Sequence, residues 1–328
     1  MHMPDGYINL ATSAGAAVVA AGGVGASLRN STRELAERQV PLAGLTAAYV
    51  FAVQMLNFPV AAGTSGHLLG GALAAILLGP TLGALVVTIV VVVQALLFAD
   101  GGISALGLNV LNMALITAVV GWLVFRSLMR VLPARTSSAI VASMVAAAVS
   151  VVASSIAFVL EYSIGGQGGV AVGTVFRAMV GVHVLIGLGE GLITALTVGT
   201  VLAVRPDLVK GVADRELVAD RTAPSRATTT TFVLAGLVAA LLLVFVLAPL
   251  ASSAPDGLEK VALDTGFSEA GTDHPVGGPL ADYGVSGVES ERLGTVLAGT
   301  IGVIATFAVG LGIATVLRRR REPKRMAG

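Results

Sequence analysis

The sequence predicts an all-α fold, a polytopic bundle of transmembrane helices, and three observations predict it. Of the 328 residues, 55% are hydrophobic and only 12% are charged, whereas soluble proteins carry about 25% charged residues. The mean hydropathy is +0.90. The apolar residues gather into runs of about 20, the length that a helix needs to cross a hydrocarbon core of about 30 Å. This composition excludes a soluble, disordered or nucleic-acid-binding protein.

Nine apolar runs follow one another along the chain. The third run, GHLLGGALAAILLG, is short, and a broken or re-entrant element is the alternative to a full span. Proline residues lie at run ends or in polar loops, which supports this division because proline breaks a helix interior. The runs lie near residues 7–27, 40–58, 66–79, 81–99, 105–125, 137–161, 173–204, 230–250 and 294–317.

The basic residues predict the orientation of these spans. Segments 28–39, 126–136, 205–226 and 318–328 hold 17 of the 20 Lys and Arg residues. Cytoplasmic loops carry an excess of Lys and Arg. We therefore expect a multi-pass protein of the cytoplasmic membrane with its N-terminus outside and its C-terminus inside. The basic cluster at the C-terminal end is interpreted as an anchor behind the last span.

The composition also predicts three parts of the chain. Residues 1–204 form a seven-span unit with short loops, and residues 205–229 form a charged cytoplasmic linker. Residues 230–328 form a two-span hairpin. Its outer loop, 251–292, is acidic, with eight Asp and Glu residues against two basic ones. A solvated loop is the default interpretation of that acidity, and concentration of cations near an entrance is the alternative.

Several kinds of chemistry are excluded by motifs that the sequence lacks. It contains no Cys, so a metal would need nitrogen, oxygen or thioether donors. None of its three Lys residues follows a Gly-rich phosphate loop, and neither HExxH nor GxSxG occurs. We therefore predict that the chain is not an enzyme and binds no ATP. Uphill transport would need ATP hydrolysis on another subunit.

The first two residues carry the most specific metal-binding pattern. The α-amine of Met1, the peptide nitrogen of His2 and the His2 imidazole can close two fused chelate rings around one ion. Three nitrogens then lie in one plane, and one in-plane position stays open for a further donor. Such a set suits Ni(II) or Cu(II), and low-spin Co(II) also fits. Binding should weaken in acid because the donors must lose protons. The alternative is an accidental His beside the first Met.

His67 is the predicted fourth donor. It lies in GTSGHLLGG at the outer end of the third run, on the same side of the membrane as the N-terminus. The glycines around it remove side chains, so a metal complex can approach closely. The alternative is a His that hydrogen-bonds a neighbouring carbonyl, with glycines that serve only helix packing.

Polar residues inside or beside the spans are costly and are therefore candidates for supporting roles. His183 and Glu190 are seven residues apart and share a helical face, where either a second shell around the metal or a structural contact would fit. Asp5 suits a cation or the start of the first helix. Gln94 and Asp100 are expected mainly to satisfy backbone groups of an outer loop, and a bond to the N-terminal loop or to a ligand imidazole is the alternative. The candidates for orienting the metal donors without touching the ion are His183, Glu190, Asn109, Asn112 and Asp5.

Several motifs together resemble one family. MHMPDGY, GHLLGG, QALLFADGGISALGLNVLNM and GVHVLIGLGEGLIT resemble the CbiM/NikM family, the substrate-binding membrane component of energy-coupling-factor cobalt/nickel importers. The resemblance covers essentially all of 1–204. The hairpin, with PDGLEKVA and ADYG, resembles the small accessory subunit (CbiN/NikN) of those systems, here fused to the chain.

The resemblance implies a function and partners. It implies that the Met1 amine, the His2 amide and imidazole, and the His67 imidazole hold Co(II) or Ni(II) as the transported substrate. It also implies a transmembrane coupling subunit and cytoplasmic ATPase subunits, which would power release on the inner side. Two rival classes are a secondary transition-metal transporter that works without ATPases and a membrane-embedded metalloenzyme.

Overall fold

A computed structural model describes residues 1–61, 63–212, 226–275, 277 and 280–321. Most of this chain is helical, and its strands form one short antiparallel pair, β1 (Phe58–Pro59) and β2 (Ser65–Gly66). The helices are α1 (Leu10–Glu34), α2 (Gln39–Gln54), α3 (Gly71–Leu78), α4 (Pro80–Leu97), α5 (Leu106–Asn109), α6 (Thr117–Val131), α7 (Thr136–Gly165), α8 (Val172–Val204), α9 (Arg226–Leu242), α10 (Gly257–Thr265) and α11 (Glu291–Arg321). Helical segments of π type are Val110–Ile116 and Leu243–Leu247; 3₁₀ turns are Pro206–Leu208, Lys210–Val212, Ala248–Leu250, Ser268–Ala270 and Ala281–Tyr283.

The helix lengths confirm the predicted all-α polytopic membrane fold. Within the described ranges, seven helices are long and apolar enough to cross a membrane. Helix α2 is also apolar but shorter, with 16 residues. The seven segments are Leu10–Arg33, Pro80–Leu97, Leu106–Val131, Thr136–Gly165, Val172–Val204, Thr228–Leu250 and Glu291–Arg320.

The third apolar run has the broken form that was the alternative to a full span. Its helix, α3, has eight residues and a length of about 12 Å, too short to cross a bilayer core by itself. Hydrogen bonds nevertheless join residues 69–78 to both ends of α2, which runs in the opposite direction. Gln54 Nε2 donates to Leu69 O at 2.9 Å at one end of α2, and Gln39 Nε2 donates to Leu78 O at 3.5 Å at the other.

Helix α3 is buried because its neighbours present glycines to it. A Cβ atom at Gly83 of α4 would lie 2.6 Å from the Ala75 nitrogen, and one at Gly121 of α6 would lie 2.7 Å from the Ala72 Cα. Only a residue without a side chain permits such approaches. The segment that carries His67 is therefore joined directly to a closely packed helix.

The C-terminal hairpin packs on the preceding helices through contacts of α11 with α2. A Cβ atom at Gly44 would lie 2.9 Å from the Phe307 carbonyl oxygen. The loop between α9 and α11 covers the N-terminal segment and the loop before α3. Its backbone is bonded to both, through Thr272 N to Asp5 O at 3.0 Å and Ser65 N to Pro255 O at 2.9 Å.

The predicted linker is described only in part. Residues 213–225 lie outside the described residues, as do residues 322–328 of the C-terminal basic cluster. Residues 205–212 form two 3₁₀ turns, and Arg205 Nε and Nη2 pair with the Asp207 carboxylate at 2.8 and 2.9 Å.

Candidate metal centre

The first residues of the chain fold into the protein interior. Met1 is 5% exposed and Met3 is 1% exposed. Asn109 fixes this segment by bonding both backbone groups of Met3. Its Oδ1 accepts from Met3 N at 2.8 Å, and its Nδ2 donates to Met3 O at 3.0 Å. Gly102 N donates to the same carbonyl at 2.8 Å. Asn109, predicted as a supporting residue, thus holds the backbone that carries the predicted donors.

The predicted donors meet at one point. The amine of Met1 is in hydrogen-bond contact with His67 Nε2. The imidazole rings of His2 and His67 are stacked, with centroids 5.1 Å apart and an angle of 24° between planes. Residues that are 66 positions apart in the sequence therefore bring the amine and two imidazoles into one cluster.

Hydrogen bonds orient both imidazoles. His67 Nδ1 donates to Leu68 O at 2.9 Å, which leaves the lone pair of Nε2 facing the Met1 amine. His2 Nε2 donates to Gln94 Oε1 at 3.0 Å, and His2 Nδ1 lies 3.2 Å from Asp100 Oδ1. Burial lowers the pKa of His2 to about 4, although the Asp100 carboxylate opposes this shift. The His2 ring is therefore neutral near pH 7, the form that binds metals.

Glu190 supports the His67 segment from α8. Its Oε2 accepts from Leu69 N at 2.6 Å, and its Oε1 accepts from Gly70 N at 3.1 Å. These two amides precede α3 and have no partner within that helix. His183 lies on the same face of α8, where its Nδ1 donates to Met179 O at 2.8 Å. Glu190 therefore fixes the backbone next to His67, whereas His183 bonds its own helix.

We expect Glu190→Gln to lower the free energy of unfolding by about 1–3 kcal/mol, because the amide NH₂ cannot accept from one of the two buried backbone N–H groups. Chemical denaturation of the purified protein in detergent measures this change. Thr200→Val is the matched control on α8, since Thr200 Oγ1 bonds only the carbonyl of Leu196 in its own helix. Equal stability of both variants would contradict this role for Glu190.

Asn112, another predicted supporting residue, is connected to Met1 through Ser154. Asn112 Nδ2 donates to Glu161 Oε2 at 2.7 Å, and its carbonyl accepts from Ser154 Oγ at 3.0 Å. Ser154 Oγ also lies 3.4 Å from the Met1 sulfur. Asn112 thus touches Met1 only through Ser154.

Asp5 organises the loop before α5. Its carboxylate accepts from Ile103 N at 3.1 Å and from Ser104 N at 2.7 Å. Helix α1 is capped instead by Asn9, whose Oδ1 accepts from Thr12 N at 2.9 Å. Asp5 therefore joins the N-terminal segment to the loop that includes Gly102.

Asp256 of the hairpin loop is a site residue that the sequence did not predict. Its Oδ2 is in contact with the Met1 ammonium and lies 3.4 Å from His67 Nε2. Burial opposes ionisation of this carboxyl, but the charge of the Met1 ammonium outweighs burial and holds the pKa of Asp256 well below the usual range. The available signal was the Pro-Asp-Gly turn, which occurs at both 4–6 and 255–257.

Tyr283 is the second unpredicted residue from the hairpin. Its hydroxyl donates to Asp100 Oδ2 at 2.6 Å and accepts from Gln94 Nε2 at 3.0 Å. Burial and the Asp100 charge raise the pKa of Tyr283 well above its ordinary value, so it remains a donor. Gln94 and Asp100, expected mainly to bond the backbone, both face His2.

Side chains alone do not form a metal site in the part of the chain that the structure describes. No group of three or more His, Asp or Glu side chains there is placed to hold an ion. The cluster of two imidazoles becomes a possible chelate only with backbone nitrogens of the first two residues.

The family profile described as "Cobalt uptake substrate-specific transmembrane region" (CbiM) matches residues 2–208, and the PDGLE domain profile matches residues 230–319. The chain belongs to the CbiM family. A second, fused domain of the PDGLE type follows the CbiM region.

Named relatives agree with this assignment. A "Putative fused nickel transport protein NikMN" of Archaeoglobus fulgidus is 34% identical over 97% of this chain and 99% of its own length. A "Cobalt transport protein CbiM" of Geobacter sulfurreducens is 33% identical over 74% of this chain and 71% of its own. A crystal structure titled as a truncated transition metal transporter matches with TM-score 0.55 and 28% identity, over 62% of this chain and 99% of that chain. This CbiM-family chain is therefore a multi-pass transport protein rather than an enzyme.

Proposed function

We propose that this chain is the substrate-binding membrane subunit of an energy-coupling-factor importer that captures Co(II) or Ni(II) at the outer face. The observation that carries the proposal is the contact of the Met1 amine with His67 Nε2 beside the stacked His2 ring. The family and the names of the relatives support cobalt and nickel as the transported ions.

Four nitrogen donors would bind the ion. The Met1 amine and the His2 amide nitrogen close a five-membered ring, and the same amide with His2 Nδ1 closes a six-membered ring. His67 Nε2 takes the fourth in-plane position. Gln94 Oε1 accepts the Nε2 proton of His2, so Nδ1, which lies 3.2 Å from Asp100 Oδ1, would carry the lone pair that binds the ion. A planar set of nitrogens suits Ni(II) and also accommodates Co(II).

Energy for transport would come from partner subunits. The sequence has no phosphate-binding loop, so a transmembrane coupling subunit and cytoplasmic ATPase subunits would supply ATP hydrolysis. In this arrangement the N-terminus lies outside and the positive segments lie in the cytoplasm. The ion enters at the N-terminal site and leaves on the inner side.

Uptake by proteoliposomes tests this function. We expect the chain alone to bind Co(II) or Ni(II) in calorimetry but to accumulate neither. Accumulation should appear when coupling and ATPase subunits are added with ATP, and should stop with a non-hydrolysable ATP analogue. Accumulation by the chain alone that collapses with the proton gradient would support a secondary transporter instead. The same titrations with each metal give the preference between cobalt and nickel.

A further inference from the structure

The outer loop of the hairpin reaches the candidate metal centre with two side chains, Asp256 and Tyr283. We propose that the fused hairpin completes the metal site: Asp256 supplies the carboxylate counter-charge of the bound ion, and Tyr283 fixes the groups that orient His2. This proposal rests on the proposed function, since it concerns the same nitrogen chelate.

The Asp256 carboxylate is held in a fixed direction. Its Oδ1 accepts from Leu258 N at 2.8 Å and from Glu259 N at 2.9 Å, which caps α10. The other oxygen, Oδ2, therefore points away from the helix and contacts the Met1 amine. Because one carboxylate makes both sets of contacts, the position of α10 and the position of the amine are coupled.

Asp256 Oδ2 is also placed where a bound ion would be close. The Met1 amine and His67 Nε2 would be neighbouring donors in the plane, each about 2 Å from the ion. The oxygen contacts the first and lies 3.4 Å from the second. An atom near both nitrogens would be near the ion that they share.

The charge of the chelate calls for a carboxylate. A divalent ion bound by an amine, two neutral imidazoles and one deprotonated amide has a net charge of +1. A buried cation without a counter-charge is costly, because Coulomb interactions are strong and solvation is lost. Before an ion binds, the ammonium of Met1 carries the same charge at the same place. Asp256 therefore faces a single positive charge before and after loading, while Asp100, 3.2 Å from His2 Nδ1, is the carboxylate on the His2 side of the cluster.

Tyr283 acts on the opposite edge of the cluster. Its hydroxyl bonds both Asp100 and Gln94, and these two residues contact the two nitrogens of the His2 ring. The ring of Tyr283 packs against Phe98 with centroids 5.0 Å apart, which holds the hydroxyl in place. Groups that orient a metal-binding imidazole affect affinity although they do not touch the ion.

The fit of the loop against α8 is also close at a glycine. A Cβ atom at Gly257 would lie 2.5 Å from Ile186 Cδ1 and 3.1 Å from His183 Cε1. The residue that follows Asp256 therefore lets α10 approach α8 closely enough for the carboxylate to reach the amine. His183, a predicted supporting residue, contributes this contact surface.

Calorimetric titration of full-length variants with Ni(II) and with Co(II) tests the proposal. Asp256→Asn removes the charge but keeps a good helix cap, since Asn and Asp are comparable N-cap residues. We expect it to weaken binding by about 10–100-fold, the range seen when outer partners of metal ligands are lost. Tyr283→Phe should weaken binding by about tenfold on the same basis. The matched control is Asp264→Asn, which removes a charge from exposed α10 surface paired only with Lys260.

The variants separate charge from helix capping. If Asp256 acts only as a cap, Asp256→Ala binds weakly while Asp256→Asn binds like the unchanged chain, and this result overturns the proposal. Tighter binding by Asp256→Asn also overturns it, since the carboxylate would then compete with the ion. Normal binding by Asp256→Asn together with lost binding by His67→Ala would show that the Asp256 charge does not contribute to metal binding. The nitrogen chelate would still be supported. Normal binding by His67→Ala refutes the chelate itself.

Discussion

A chain whose Met1 amine carries a retained formyl group should lose high-affinity binding of Co(II) and Ni(II). The formyl group turns the Met1 amine into an amide and adds no new amine that could bind the ion together with the His2 imidazole. Met1 is buried, and its nitrogen contacts His67 and Asp256, so formylation removes a donor from the centre of the cluster. We expect affinity to fall on the order of 1000-fold, more than the 10–100-fold for an outer partner.

Calorimetry of the formylated chain measures this loss. The same chain after removal of the formyl group is the matched control and should bind as the unchanged chain does. Unaltered affinity in the formylated protein would refute the amine as a donor, whatever the histidine variants show.

His67→Ala should abolish metal binding to a similar extent. The substitution removes the donor that faces the Met1 amine, whereas Glu190 still holds the backbone at Leu69 and Gly70. We therefore expect a loss on the order of 1000-fold in affinity, again above the range for outer partners, while the helical content stays unchanged.

Free imidazole provides the control for this variant. The space left by the His67 ring adjoins the stacked His2 ring, so added imidazole can occupy it and restore an in-plane nitrogen. Calorimetry with and without imidazole should show partial recovery in His67→Ala and no gain in the unchanged chain. Binding by the variant equal to that of the unchanged protein would refute His67 as a ligand.

The fold was predictable from the sequence because a membrane-spanning helix can be recognised from its local composition. Runs of about 20 apolar residues specify spanning helices without reference to other parts of the chain. The form of the third run was harder to predict. The outer part of this run is not helical, and Glu190 bonds the backbone there at Leu69 and Gly70. These two contacts join residues that are 121 and 120 positions apart in the sequence, so no local pattern predicts them.

The metal centre was predictable only in its chemically unusual parts. His2 is recognisable because its imidazole follows the first amine at chelating distance along the chain. His67 is recognisable because glycines surround it in the sequence. Asp256 and Tyr283 do not, since each becomes part of the site only when the hairpin loop docks. The Met1–Asp256 contact spans 255 positions of sequence. No local pattern distinguishes Asp256 from the other acids of its loop except the turn in which it lies.

The same long-range contact constrains the order in which the protein matures. The partner of the first residue follows α9, so a ribosome must complete the whole CbiM region and begin the hairpin before the two can meet. Until then the leading amine has its histidine neighbour but lacks the Asp256 carboxylate. If Asp256 supplies the counter-charge of the ion, a nascent chain binds the ion about 10–100-fold more weakly until synthesis has passed the outer loop.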